Sequence, residues 1–287
     1  MNIAVCISGE PREFTFFENS INLFKEQCAN NNITLHVFYH LWDHISRRQR
    51  NYKSQEPILQ KIPVEDIVTK IPVTDGVFEN KDSLLPEVDY VWEYICNLKE
   101  SHPRYDTKEI LKNQLLYTNS PGYCQLSSLC KSNLIRIEYE KRYNIQYDLV
   151  IRTRTDVEFF CKDITYLINL INNGTFDKKI YFPEIEVWNM KNELQVIPEF
   201  CFLLSNSNIL NENIFNNYCE KITKDMFFYN NTRKNVGIRN DHTVFVNLIL
   251  HNIKIKLQSN IRNAFKYKIY QLSAEYSKDI KTKYSHY

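Results

Sequence analysis

The stretch Tyr147-Asp148-Leu149-Val150-Ile151-Arg152-Thr153-Arg154-Thr155-Asp156-Val157-Glu158 says most about the fold. Its first half is apolar at consecutive positions, Leu149, Val150 and Ile151. That is the pattern of a strand covered on both faces, hence central in a parallel sheet. The second half is charged. Strand side chains alternate with period two, so Arg152, Arg154 and Asp156 share one face if the chain stays extended. Ligands of open α/β sheets bind beyond the carboxyl ends of such strands. Guanidinium forks match phosphate oxygens there, and an aspartate offers a hard oxygen to Mg²⁺ or Mn²⁺. A salt-bridge ladder at a strand end is the plainer reading of the same residues.

Working outward, residues 2–8 (NIAVCIS) form a second nearly all-apolar run, bounded by Gly9. A helix over 13–30 follows, stopped by Asn30-Asn31-Asn32, and then a strand over 35–39. Strand, helix, strand opens a parallel sheet. Residues 43–117, with a basic cluster at 47–50 and prolines from Pro57 to Pro86, read as a long insertion that leaves the sheet. A short helix is expected inside it over 88–98. Leu126, Leu129, Cys130, Leu134 and Ile137 recur at helical spacing before the 147–153 strand. Further helices are expected over 164–171, 209–227 and 242–251, with strands over 180–182, 200–204 and 253–257. The expected fold class is α/β: a mostly parallel, Rossmann-like sheet flanked by helices. It makes one catalytic domain over 1–260, followed by a peripheral helical tail over 261–287.

Composition narrows the function. The 287 residues carry a formal charge of +2, too small a field to argue for nucleic acid or a membrane surface. No run approaches the roughly 18 apolar residues of a membrane span. The N-terminal apolar run is too short for a signal peptide, so a cytoplasmic location is expected. The eight cysteines include no C-x-x-C pair, and several sit in apolar runs where a reduced thiol acts as a small hydrophobe.

At the first strand's end, Gly9 lacks a Cβ, so a base or ribose can approach the backbone, and Arg12 can reach a phosphate. Alone, Ser8-Gly9 is simply a turn dipeptide. Together, Ile3-Ala4-Val5-Cys6-Ile7-Ser8-Gly9-Glu10-Pro11-Arg12 and the 147–156 stretch resemble two signatures of small GT-A-like glycosyltransferases. Those proteins are encoded in bacterial surface-polysaccharide loci and by large DNA viruses. The resemblance implies a GT-A-like domain, a nucleotide-sugar donor and a glycan or glycoconjugate acceptor. It also implies Ser8, Gly9 and Arg12 beside the nucleotide, Arg152 and Arg154 on its diphosphate, and a divalent cation (Mn²⁺ or Mg²⁺) at Asp156. One departure stands out: many GT-A enzymes have Asp-x-Asp where this chain has Arg154-Thr155-Asp156.

Arg239-Asn240-Asp241-His242 is a third candidate. Asp241 suits a general base and His242 a metal ligand, although the same residues suit a helix N-cap. Glu199, before the 200–204 strand, is the rival base. Two other functions stay open. A nucleotidyltransferase lacks its Gly-rich phosphate loop here, the chain having only 5 glycines. A non-catalytic glycan-binding or assembly protein on a decayed scaffold is favoured by the missing acid.

Overall fold

The computed structural model describes residues 1–11, 14–47, 58–61, 67–97, 107–113, 115–116, 121–177, 185–190, 193–198, 203–211, 265–270 and 282–285. The chain begins with β1 (Asn2–Gly9), α1 (Phe14–Asn30), β2 (Thr34–Trp42), β3 (His44–Arg47), β4 (Ile58–Lys61) and β5 (Asp75–Glu79). A 3₁₀ turn (Lys81–Leu84) leads into α2 (Leu85–Asn97), α3 (Lys108–Asn113) and the long α4 (Pro121–Tyr143). Next come β6 (Leu149–Thr153), β7 (Val157–Cys161), α5 (Ile164–Asn172), β8 (Ile185–Met190) and β9 (Glu193–Pro198). The last elements are β10 (Leu203–Ser205), α6 (Ser207–Asn211), β11 (Phe265–Tyr270) and β12 (Thr282–Ser285).

The central sheet has the order β10-β6-β1-β2-β5. β1 pairs in parallel with β2 and β6, β2 in parallel with β5, and only β10 runs antiparallel. The two apolar runs picked out in the sequence are thus direct neighbours, Ile3 opposite Leu149 and Ile7 opposite Thr153. α1 stops where the asparagine run begins. Asn32 takes φ 55, and the N–H groups of Asn32 and Ile33 bond the carbonyls of Ala29 and Cys28, closing a Schellman end.

The strands present two unlike faces. Ile3, Val5, Ile7, Val37, Leu149 and Ile151 join Phe17, Ile21 and Phe24 of α1 and Phe159 of β7 in the main apolar core. Each such buried side chain contributes roughly 1.5–3 kcal/mol of transfer free energy. The opposite face lies under α4. Near the amino ends of the strands it is aromatic: His36 and Phe38 each meet both Tyr139 and Tyr147, and the Tyr147 hydroxyl bonds His36 Nδ1 at 2.9 Å. Along the rest of α4 it is polar, from Ser128 beside Gly9 to Glu140, which accepts from the Tyr147 N–H. Ser127, Ser128, Ser132, Asn133, Arg136 and Glu140 are all buried on α4. Arg136 bonds Glu140 at 2.8 Å and gives Asn133 Oδ1 two further hydrogen bonds.

Three expectations are corrected. The 43–117 segment returns to the sheet, placing β5 along β2 with Phe38 opposite Asp75 and Trp42 opposite Glu79. β5 escaped notice because DGVFE is short, half-buried and lies at an edge, so it lacks an apolar signature. Gly76 is needed there, since a Cβ would come within 2.2 Å of the Tyr39 ring. The C-terminal tail also contains strands, not the expected helix: β11 pairs antiparallel with β7. Its FKYKIY alternation has period two, which is a strand's period. Finally, Leu134, counted on the inner stripe of its helix, is 44% exposed. The expected elements over 180–182, 242–251 and 253–257 lie outside the described residues, as does most of 209–227.

Candidate functional site

The carboxyl ends of β1, β2, β5 and β6 form one rim. At Gly9 the chain leaves β1 with φ 111, a value that strains any residue with a side chain. The Gly9 N–H donates to Ser128 Oγ at 2.7 Å, pinning the turn to α4. Ser8 Oγ is buried and, among the described residues, has no hydrogen-bond partner. Glu10 continues the turn: its carboxylate meets Lys81 Nζ at 2.5 Å, and its carbonyl accepts from Thr155 Oγ1 at 3.1 Å. The loop after β1 is therefore tied on one side to the segment after β5 and on the other to the end of β6.

At β6 the structure departs from the extended geometry expected. The strand ends at Thr153, and the Val157 N–H turns back to the Arg154 carbonyl at 3.2 Å. Arg152, Arg154 and Asp156 therefore do not line one strand face. Arg152 is opposite Cys6 in register and only 3% exposed beneath α4. Arg154 sits outside the strand and lays its fork on Asp156, Nε to Oδ1 at 2.8 Å and Nη2 to Oδ2. The pair is two-sided in exposure: Arg154 is 18% exposed and Asp156 2%. The carboxylate is buried, and the guanidinium is the more exposed of the two.

A second row of groups runs along the rim from β1 to β5. Ser128 Oγ accepts from Gly9, lies 2.9 Å from His40 Nδ1, and donates to the His40 carbonyl at 2.6 Å. His40 Nε2 is 3.0 Å from Glu79 Oε2, which also receives Lys131 Nζ and, at 3.1 Å, Ser83 Oγ. Burial pushes His40 down to about 4, against the opposing pull of Glu79, so its ring is neutral at pH 7. The carboxylate requires the ring proton on Nε2. Nδ1 is then an acceptor, and the Ser128 hydroxyl proton is shared between that nitrogen and the His40 carbonyl. For Glu79, burial acts to raise the acid. Hydrogen bonds from Lys131 and His40 outweigh it and hold the carboxyl below its ordinary range.

Glu79, His40 and Ser128 follow the connectivity of an acid–histidine–serine triad, but Ser128 is no nucleophile. It is fully buried, and its oxygen already serves Gly9 and both His40 acceptors. The row is a scaffold that fixes Gly9 relative to Glu79.

Of the residues singled out in the sequence, Ser8, Gly9, Arg152, Arg154 and Asp156 come together at this rim. Arg12, Glu199, Asp241 and His242 lie outside the described residues. A divalent cation fits the described residues poorly. Both Asp156 oxygens are bound by Arg154, and among the described residues no group of three or more His, Cys, Asp or Glu could hold a metal. The cationic side chains described at this rim are Arg154, Lys81 and Lys131, each paired with a carboxylate. Sequence reasoning missed Ser128, His40, Glu79 and Lys131. Their only signal is weak: a polar residue inside the apolar run of β2, and a Ser128, Ser132, Arg136, Glu140 stripe at spacing four on α4.

The fold and rim together define an α/β protein with a mostly parallel sheet and a polar rim at its strand carboxyl ends. No family model matches the chain, and no curated protein sequence matches it. Among solved structures, it is similar to mouse xyloside xylosyltransferase 1 in its apo form, at 8% identity and a TM-score of 0.37. That match covers 90% of this chain and 84% of the other. A likeness at that level carries no argument, and the fold class rests on the strand order and pairing themselves. No helix among the described residues is long and apolar enough to cross a membrane.

Proposed function

We propose that the chain is a glycosyltransferase that moves a sugar from a nucleotide-sugar donor to a hydroxyl of a glycan or glycoconjugate. One observation carries the reading. The Ser8-Gly9-Glu10 turn and the Arg152–Asp156 strand end, far apart in sequence, adjoin at one rim and are joined by the Thr155–Glu10 hydrogen bond. Gly9 offers bare backbone to a flat base or ribose, and beside it lies the Ser8 hydroxyl, which has no hydrogen-bond partner among the described residues. Arg154, oriented by Asp156, supplies the charge-assisted donors that hold a diphosphate and stabilise it as leaving group. Arg152 supports the strand from beneath α4.

Titration calorimetry with a panel of nucleoside diphosphates tests this. Wild type binds at least one of them. Arg154→Lys keeps the charge but loses the fork, so affinity falls about tenfold or more. A panel in which no nucleotide binds removes the proposal. The closed Arg154–Asp156 pair favours a second reading, a non-catalytic glycan-binding protein on the same scaffold. That protein would bind sugars in the same calorimeter and ignore every nucleotide.

A further inference from the structure

We propose that Glu79 is a receptor for a carbohydrate hydroxyl, its Oε1 accepting a hydrogen bond from a ring hydroxyl of the bound ligand. The inference deepens the glycosyltransferase reading and rests on it only for the identity of the ring. An ionised carboxylate has about four acceptor sites on two oxygens. At Glu79 the three donors, His40 Nε2, Ser83 Oγ and Lys131 Nζ, all converge on Oε2. Oε1 receives none among the described residues, and the side chain is 31% exposed. One oxygen is thus anchored from three directions while the other faces solvent with its position already set. An acceptor held this way loses little entropy on meeting a ligand.

Position and charge narrow the ligand. Glu79 ends β5 on the α4 side of the sheet, opposite Trp42. Two residues later Lys81 pairs with Glu10, so Glu79 shares the rim with the Gly9 turn. Lys131, lying 5.5 Å from the Trp42 ring centroid, balances the charge of Glu79. A balanced pair has little pull on a cationic ligand and little repulsion for an anionic one. What remains is a strong, directional acceptor suited to neutral O–H donors. The hydroxyl belongs either to the ribose of a nucleotide or to a sugar ring.

The test uses the full chain, with ribonucleoside diphosphates, their 2′,3′-dideoxy counterparts and methyl glycosides as probes. Glu79→Gln lowers affinity for a ribonucleotide or a glycoside about tenfold or more. Ser83→Ala removes one of the three anchors of Oε2 and lowers affinity less than Glu79→Gln does. If wild type prefers the ribonucleotide to its dideoxy analogue and Glu79→Gln does not, the hydroxyl is the ribose's. A loss confined to glycosides assigns it to a sugar. Glu79→Asp, which keeps the charge and withdraws the oxygen, replaces Glu79→Gln if that variant fails to melt cooperatively. Undiminished binding of both probe classes in the variant overturns the inference, as does a wild type that binds neither class. Glycoside binding through Glu79 without any nucleotide binding defeats the glycosyltransferase reading and leaves this one standing.

Discussion

On one face of the central sheet, Ile3, Val5, Ile7, Leu149 and Ile151 cluster with Phe17, Ile21 and Phe24 of α1. On the other, Cys6, Ser8, His40 and Arg152 lie under a helix whose buried side carries Ser128, Ser132 and Arg136. The same strands build both faces, one residue out of phase. The apolar face contributes stability through area removed from water and tolerates swaps of similar volume. The polar face is held by directional bonds, and a buried donor without its partner costs more than the bond returns. Such a layer is a costly way to hold a helix, but it fixes where the rim groups point. Binding chemistry sits at the end of the polar layer because that is where positions are set.

Substitutions can break this contrast. Phe24→Ala, in the middle of the apolar face, should lower unfolding free energy by about 3–5 kcal/mol while leaving ligand affinity of the folded fraction intact. Chemical denaturation alongside calorimetry checks both halves. Arg136→Leu on the polar face removes the cation paired with the buried Glu140 carboxylate and should cost about 3 kcal/mol. Adding Glu140→Leu should recover only part of that loss, because the buried Asn133 Oδ1 and the Tyr147 N–H lose partners as well. A double variant as stable as wild type would show that the bonds to Asn133 and Tyr147 add nothing.

Acid should also act through the polar face. Unfolded His40 takes up a proton near pH 6.5, whereas the folded ring resists until about pH 4. The unfolded state therefore binds more protons in that window, and stability falls with falling pH by up to about 3 kcal/mol. Glu79 adds a loss of the same sign further into acid, because its folded carboxyl is held below its ordinary range. Urea midpoints from pH 7 to 4 for wild type and His40→Gln measure the His40 share, and equal slopes would refute it. The smallest effect belongs outside both faces. Lys108 and Asp89 pair at 2.7 Å but are 51% and 50% exposed, so Lys108→Ala should change stability by no more than about 0.5 kcal/mol.

The apolar face was the legible one. Runs such as Ile3 to Ile7 and Leu149 to Ile151 announce buried strands by hydrophobicity alone, and the structure pairs the two directly. The end of β6 was legible as chemistry but not as geometry. A turn at Arg154 divides three charged residues that period-two reasoning puts together. α4 was found as a helix from its apolar spacing, yet much of what it buries is polar. Hydrophobic periodicity cannot report a polar layer, whose signature is mutual satisfaction between residues distant in sequence. Ser128, His40 and Glu79 are of that kind: no local pattern brings them into one row.

The contact between Tyr39 and Gly76 has a consequence for Glu79. The ring occupies the space of the side chain that Gly76 lacks, and Tyr39 stands opposite Gly76 in the β2–β5 register. Gly76 is the only glycine of β5, so sliding that strand by one residue would drive Asp75 or Val77 into the ring. The same slide would rotate Glu79 to the other side of the sheet, away from Lys131 and His40. The missing side chain thus works as a keyway: an edge strand with little hydrophobic pattern of its own is indexed by one aromatic ring, and the carboxylate three residues downstream inherits its address from that fit.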